Sequence, residues 1–184
     1  MELILASRSP QRRAILEQLK IPFSVVEPDV QELEAGPPEE VAIENARRKA
    51  AAVAKDAAGA TVLGVDTVVS IGTRVYGKPR DAEQARETLR ALSGGWHAVI
   101  SGVCLIEGGR SRTAAARTLV EVRALGDELI DWYVHSDEWR ERTGGYAIQG
   151  RGAALVSAIE GDYLNVVGLP VTTLLELEPR LLGA

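Results

Sequence analysis

The segment TVLGVDTVVSIG, residues 61–72, decides the fold of this chain. Its β-branched and aliphatic residues predict a buried strand, and the glycine at its end predicts a hairpin turn. A helix is predicted on each side of it. Residues 38–57 begin with proline and acidic residues and are rich in alanine, and residues 81–92 begin with Asp81 as N-cap. A strand that turns into a hairpin between two helices indicates a mixed sheet rather than an all-parallel one.

The rest of the chain continues this alternation of strands and helices. We therefore predict an α/β fold with a mixed sheet and flanking helices, within one ordinary domain or two small lobes that share the sheet. The further elements are predicted as strands at residues 2–5, 23–28, 96–109, 117–125 and 153–161, and as helices at residues 9–20, 126–136 and 170–182.

Composition restricts the partners of the chain. It has 184 residues, a formal net charge of −5 and one cysteine, Cys104, which we expect to be a small buried side chain. The acidic balance argues against general affinity for nucleic acid or anionic lipid, so a phosphate-bearing ligand must be held by local basic clusters.

The N-terminal residues do not read as a signal peptide, and no apolar run approaches the roughly 18 residues that a membrane span needs. We expect a cytoplasmic protein.

A basic cluster lies in the stretch LASRSPQRR, residues 5–13, which follows the first predicted strand. Ser9 and Pro10 are typical of a helix start, since serine caps the first backbone N–H groups and proline lacks one. The N–H groups of the next three residues have no partner within the helix and lie at the positive end of its dipole. The stretch therefore predicts an anion site.

Arg12 is predicted to face the interior of the protein. It lies one turn before the apolar stripe formed by Ile15, Leu16 and Leu19, whereas Arg13 lies on the flank of that stripe. A charged residue on this side must reach a cleft or meet a counter-charge. The pattern leaves two alternatives open for Arg12: contact with a bound anion at the mouth of a cleft, or a structural salt bridge.

Asp66 stands inside the central strand among apolar neighbours. A buried carboxylate is unfavourable unless it is paired or bound to a metal. A metal ligand, a base and a cap for a neighbouring loop all remain open for Asp66. Lys78 lies in the loop YGKPR ahead of a helix, where a ligand contact and a solvated surface position are both open.

The glycine-rich stretch RTGGYAIQGRG, residues 142–152, has neither the Walker A lysine pattern nor the dinucleotide spacing. Gln149 within it can hydrogen-bond a base edge or serve as a turn residue.

His97 and His135 lack the spacing of metal ligands, and His97 is predicted to be structural. A phosphate ester bound with a divalent metal would account for the basic groups, the helix start and Asp66 together.

Five stretches, taken in order, resemble the Maf family of nucleoside triphosphate pyrophosphatases, also called septum formation inhibitor proteins. They are LILASRSPQRRAILEQL at 3–19, GVDTVV at 64–69, GKPRDAEQARETLRALSGGWHAV at 77–99, GGYAIQGRGA at 144–153 and GDYLNVVGLPV at 161–171. The resemblance covers nearly the whole chain and implies a single domain, residues 1–184. It implies a fold related to the inosine triphosphate pyrophosphatases, with an elongated sheet across two lobes and the active site in the central cleft.

The implied activity is hydrolysis of a nucleoside triphosphate between its α- and β-phosphates, which gives the monophosphate and pyrophosphate. The resemblance also implies dependence on a divalent metal, Mg²⁺ or Mn²⁺, and a homodimer. The family is associated with removal of non-standard nucleotides and with restraint of cell division.

The resemblance assigns roles residue by residue. Asp66 matches the family's proton acceptor and metal ligand, and Glu32 matches its acidic position after the second strand. Thr67 and Gln149 match positions tied to substrate choice and resemble the subgroup that accepts dTTP and UTP. The third such position is Gln11, where that subgroup usually has arginine. Phosphate contacts are implied for Ser7, Arg12, Arg13, Lys49 and Lys78.

The resulting hypothesis is that Glu32 and Asp66 hold one or more metal ions, and that Asp66 helps deprotonate a water that attacks the α-phosphorus. A nucleotide-binding regulator of cell division with little catalysis is the alternative. The presence of both acids beside Lys49 and Lys78 argues against it, because simple binding does not need the acids. A metal-dependent phosphatase is a third possibility.

Overall fold

The computed structural model describes residues 2–182, which form seven strands and six α-helices. Three short 3₁₀ segments, Thr143–Gly145, Arg151–Leu155 and Pro179–Leu182, accompany them. In chain order the elements are β1 (Leu3–Ala6), α1 (Pro10–Gln18), β2 (Ser24–Val26), α2 (Pro38–Ala54), β3 (Thr61–Ile71), β4 (Arg74–Tyr76), α3 (Ala82–Leu92), β5 (Trp96–Glu107), β6 (Arg110–Val122), α4 (Asp127–Val134), β7 (Val156–Glu160), α5 (Tyr163–Val167) and α6 (Val171–Leu177).

All seven strands belong to one mixed sheet. Its order is β2-β1-β3-β5-β6-β7, and β4 pairs with the far end of β3. The pairs of β1 with β2 and with β3 are parallel, and all the other pairs are antiparallel. The β3–β4 hairpin turns at Gly72, whose φ of +58° suits glycine. The predicted α/β fold with a mixed sheet and flanking helices is confirmed.

Strand β3 has a gap along one of its edges. On one side it pairs with β5 from Val62 to Ser70. On the other side, residues 61–64 pair with β1 and residues 69–71 pair with β4. Residues 65–68 have no strand partner on that side within the described part of the chain. Asp66 and its neighbours therefore lie where the sheet opens.

Helix α2 packs directly against the backbone of the sheet. Ala42, Ala46 and Ala50 are fully buried on its inner face. A Cβ atom on Gly64 of β3 or on Gly102 of β5 would overlap the backbone of this helix. The alanines and the two glycines thus bring α2 close enough for its polar side chains to reach the open edge of β3.

Two large apolar clusters lie one after the other along the long strands. The first contains Leu63 and Val65 of β3, and the second contains Val69 of the same strand. The first packs β1, α1 and α6 against the sheet, and the second packs α3, α4 and the segment that follows α4. The two clusters thus cover different lengths of the same strands, and the open edge of β3 lies between them.

Several element bounds differ from the predictions. Strand β6 begins at Arg110 rather than at residue 117, because its polar first half is held by pairing with β5 rather than by burial. The five-residue helix α5 was not predicted. The last predicted helix ends at Leu177, and the strand predicted from residue 153 begins only at Val156. Cys104 is fully buried, as expected.

Candidate active site

A cleft of about 1510 Å³ opens along the unpaired edge of β3. Its walls include the start of α1, the segment before α2, the middle of α2, the β3–β4 hairpin and the segment after α4. All but one of the predicted site residues line it: Ser7, Gln11, Arg12, Glu32, Lys49, Asp66, Thr67, Lys78 and Gln149. The exception is Arg13, which is exposed and lines a separate shallow depression beside Pro22 and Phe23.

Asp66, Lys49 and Glu32 form one charged group at the inner end of the cleft. Lys49 Nζ lies 2.6 Å from Asp66 Oδ1 and 3.0 Å from Glu32 Oε1. The side chains of Lys49 and Asp66 are buried, whereas that of Glu32 is 42 % exposed. The pairing explains how the strand tolerates Asp66, since a buried carboxylate needs a counter-charge. Two carboxylates therefore converge on one cation.

Arg12 is a buried cation without a carboxylate partner among the described residues. Its Nε donates to Gly168 O at 2.8 Å, and its two terminal nitrogens donate to Ser7 Oγ at 3.3 Å and Thr67 Oγ1 at 3.1 Å. Burial lowers the pKa of Arg12, and the more distant charges of Asp66 and Glu32 oppose that effect. The structural salt bridge that the sequence left open for Arg12 is not observed.

The start of α1 has the predicted cap. Ser9 Oγ accepts from the backbone N–H of Arg12 at 3.4 Å, and Pro10 occupies the first helical position. Ser7 Oγ accepts from Ser9 N at 3.1 Å, so one hydroxyl bonds both the cap and the Arg12 guanidinium. Ser9 Oγ donates to Gln11 Oε1 at 3.1 Å, which ties the Gln11 side chain back to the cap.

Thr67 joins the Arg12 guanidinium to the sheet. Its Oγ1 accepts from Arg12 and lies 2.8 Å from Ser101 Oγ on β5, directly opposite in the strand register. Ser101 is fully buried. The hydroxyl of Thr67 therefore lies between a charged donor and a second hydroxyl.

Lys78 lies at the outer end of the cleft. Its Nζ is 2.7 Å from Glu141 Oε2, and the two side chains are 56 % and 84 % exposed. The hydrogen bond from Lys78 lowers the pKa of Glu141. Because both groups are solvated, this contact is weak and can be exchanged for another anion.

Gln149 is exposed on a segment fixed at both sides of it. Before it, Tyr146 Oη lies 2.8 Å from His97 Nε2, and the N–H of Ala147 donates to Tyr133 Oη at 2.8 Å. After it, the N–H of Arg151 donates to Glu138 Oε2 at 2.7 Å.

His97 is buried, as predicted for a structural histidine. Its Nδ1 has no hydrogen-bond partner among the described residues. Burial lowers the pKa of His97 to about 4, so its ring is neutral at pH 7.

The cleft offers two carboxylates for a metal ion. Within residues 2–182 there is no group of three or more His, Cys, Asp or Glu side chains that could hold one. Carboxylate oxygens are the donors that Mg²⁺ and Mn²⁺ prefer, and Mg²⁺ is commonly held by one or two carboxylates together with substrate phosphates. Glu32 and Asp66, which already converge on one cation, fit such a site.

Three residues that contact the predicted site were not singled out from the sequence. Asn45 lies one helical turn before Lys49 on α2, so helix periodicity alone could have placed it in the cleft. Ser101 could have been found only from the register of β3 with β5. Gly168 acts through its carbonyl oxygen, which no side-chain pattern reveals.

The chain is similar over most of its length to known proteins. The family model described as Maf-like protein matches residues 2–179. A dTTP/UTP pyrophosphatase of Pyrococcus furiosus is 43 % identical over 180 residues, which cover 96 % of this chain and 93 % of that protein. A dTTP/UTP pyrophosphatase of Symbiobacterium thermophilum is 46 % identical over 172 residues, covering 92 % and 89 %. Among solved structures, the Ham1 protein of Staphylococcus aureus matches with a TM-score of 0.46 at 18 % identity, over 66 % of this chain and 72 % of that one.

No helix within residues 2–182 is long and apolar enough to cross a membrane.

Proposed function

The chain belongs to the Maf family, and from that premise we propose that it is a nucleoside triphosphate pyrophosphatase. It cleaves the bond between the α- and β-phosphates and releases a nucleoside monophosphate and pyrophosphate. Relatives that are 43 % and 46 % identical over most of their length bear the name dTTP/UTP pyrophosphatase, and that name supplies the proposed substrate class.

The observation that carries the proposal is the buried guanidinium of Arg12. Among residues 2–182 it bonds neutral oxygens only, and it lines a cleft in a chain whose net charge is −5. A buried cation held by neutral acceptors is suited to a bidentate contact with phosphate. Lys49 and Lys78 add positive charge at the inner and outer ends of the same cleft, so a triphosphate can extend between them.

Asp66 is proposed to accept the proton of the attacking water. The water oxygen forms a bond to the α-phosphorus, the bond from that phosphorus to the bridging oxygen breaks, and pyrophosphate leaves with the electron pair. Lys49 Nζ donates to Asp66 Oδ1 and holds that oxygen in place. Arg12 and Lys78 neutralise the charge that develops on the transferred and leaving phosphates.

Glu32 and Asp66 are the residues that would hold a divalent ion, Mg²⁺ or Mn²⁺. Such an ion supplies charge neutralisation at the phosphates and acidifies a bound water. Glu32 is the more exposed of the two carboxylates, so its side chain would be the easier one to turn from Lys49 toward a bound ion.

The base is proposed to lie toward Gln149, with Thr67 and Gln11 nearer to the phosphates. Gln149 is exposed in the cleft wall, and its amide has both donors and an acceptor for a base edge. Gln11 carries no charge and is bonded to Ser9, so it restricts the ligand by shape and hydrogen bonding rather than by charge.

Pyrophosphate release from a panel of dTTP, UTP, CTP and 7-methyl-GTP, with Mg²⁺ or Mn²⁺, tests the proposal. We expect release from dTTP and UTP, loss of activity in EDTA, and recovery on addition of either metal. Hydrolysis in ¹⁸O-labelled water places the label in the monophosphate if the α-phosphorus is attacked. Label in pyrophosphate would contradict attack at that atom. Release of orthophosphate first would favour a phosphatase, and no release from any triphosphate would favour a nucleotide-binding protein.

A further inference from the structure

Asn45 is a fully buried amide whose hydrogen bonds join two parts of the candidate site. Its Oδ1 accepts from Leu33 N at 2.7 Å, and its Nδ2 donates to Leu33 O at 3.0 Å. The same Nδ2 donates to Asp66 Oδ2 at 3.1 Å. Both N–H groups of the amide are therefore hydrogen-bonded, one to Leu33 and the other to Asp66.

The bonds to Leu33 fix a segment that has no regular structure of its own. Residues 27–37 contain neither helix nor strand, and Glu32 is exposed at their centre. Leu33 follows Glu32 in the chain. Asn45 bonds both the backbone N–H and the backbone C=O of Leu33, as a neighbouring strand would. The carboxylate of Glu32 thereby reaches Lys49, one helical turn from Asn45 on α2.

The bond to Asp66 fixes the orientation of the carboxylate. Asn45 takes Oδ2, and Lys49 takes Oδ1. With one donor on each oxygen, the carboxylate plane cannot rotate freely. Asparagine is a weak helix former, so its place within the buried face of α2 is justified by these three bonds rather than by helix propensity.

We propose that Asn45 is a positioning residue that holds Asp66 and the Glu32 segment in a fixed relation, so that both carboxylates face the same bound metal and phosphate. The proposal rests on the proposed pyrophosphatase function. It adds a residue that contacts neither substrate nor metal and acts through Asp66 and Glu32.

The test uses two variants and one control in the full chain. Asn45→Leu removes all three bonds and keeps the branched shape of the side chain. Asn45→Asp can still accept from Leu33 N, but it replaces the donor facing Asp66 with a like charge. The control, Val53→Ala, removes buried volume from the same helix, away from the cleft. Thermal unfolding confirms that each variant is folded.

Turnover is the first readout. For Asn45→Leu we expect kcat to fall by about 10- to 100-fold and the metal concentration for half-activation to rise, as is usual for residues that orient metal ligands. KM changes little, because Arg12 and Lys78 are untouched. Asn45→Asp lowers kcat at least as far. Val53→Ala lowers thermal stability and leaves kcat and the metal dependence near those of the wild type. A folded Asn45→Leu with wild-type kcat and metal dependence overturns the proposal.

Hydrogen exchange at the Leu33 amide is the second readout and does not depend on activity. We expect protection in the wild type and in Val53→Ala, and its loss in Asn45→Leu. Equal protection of the Leu33 amide in the wild type and in Asn45→Leu would show that Asn45 does not hold the segment of residues 27–37. If the wild type itself releases no pyrophosphate, the proposed function fails, and the exchange measurement still decides whether Asn45 holds the segment.

Discussion

Lys49 Nζ lies 2.6 Å from Asp66 Oδ1 and 3.0 Å from Glu32 Oε1, so a single ammonium group bridges two of the carboxylates that line the cleft. Lys49 comes from the helix that covers the sheet, and Asp66 comes from the unpaired edge of β3. The pair therefore joins two layers of the fold at the point where the proposed chemistry takes place.

Asp66→Asn is expected to lower turnover by orders of magnitude while the chain stays folded. The amide cannot accept a proton from water, and its single oxygen can accept from Lys49 or from Asn45 but not from both in the present geometry. Steady-state pyrophosphate release and circular dichroism measure the two effects. Normal turnover in folded Asp66→Asn would exclude Asp66 as the proton acceptor.

Arg12 and Arg13 are neighbours in the chain, and only Arg12 lines the cleft. Arg12→Lys keeps the charge but loses the planar fork that bonds Gly168 O, Ser7 and Thr67, so we expect kcat/KM to fall by about 100-fold, equal to about 3 kcal/mol. Arg13→Ala, outside the cleft lining, is expected to remain near the wild type. An equal loss in both variants would show that Arg13 contacts the phosphates, as the family resemblance implies.

The alternation of elements and the orientation of Arg12 were predictable because both depend on local patterns. Residues 61–72 have the β-branched content of a buried strand, and Arg12 follows the helical periodicity of its apolar neighbours. The apolar pattern could not reveal the first half of β6, since RSRTAAA is paired by β5 but only partly buried.

The contacts of the site depend on tertiary approach and could not be predicted. The open edge of β3 arises because β1 and β4 pair with its two ends, which no segment shows by itself. Asn45 and Ser101 enter the site only when α2 and β5 are packed beside β3. The role of Arg13 as a phosphate contact stays a prediction from the family motif, since in the structure Arg13 is exposed and lines a separate depression.

Gln11→Arg tests the position where this chain departs from the pyrimidine subgroup. The substitution replaces the bond to Ser9 with a positive charge beside the proposed phosphate site. We expect the ratio of kcat/KM for dTTP and UTP over that for 7-methyl-GTP to rise. Competition assays with paired substrates measure this ratio directly. An unchanged ratio would remove Gln11 from the residues that determine substrate choice.

His97 predicts how stability depends on pH. Its pKa is about 4 in the folded protein because of burial, against 6.5 when unfolded, so between these values the unfolded chain binds more protons. The contribution of His97 to the free energy of unfolding is complete above pH 6.5. It decreases by at most about 3 kcal/mol as the pH falls toward 4.

Between pH 6.5 and 4.5 the contribution of His97 to stability can be measured separately from that of Glu178. The hydrogen bond from Arg180 is the main cause that lowers the pKa of Glu178 to about 2, so its contribution is lost only below pH 4.5. His97→Gln keeps a polar group near Tyr146 and does not titrate. Urea unfolding at pH 7 and pH 4.5 should show a smaller loss of stability in this variant than in the wild type. Equal losses in the two proteins would mean that His97 becomes protonated without unfolding.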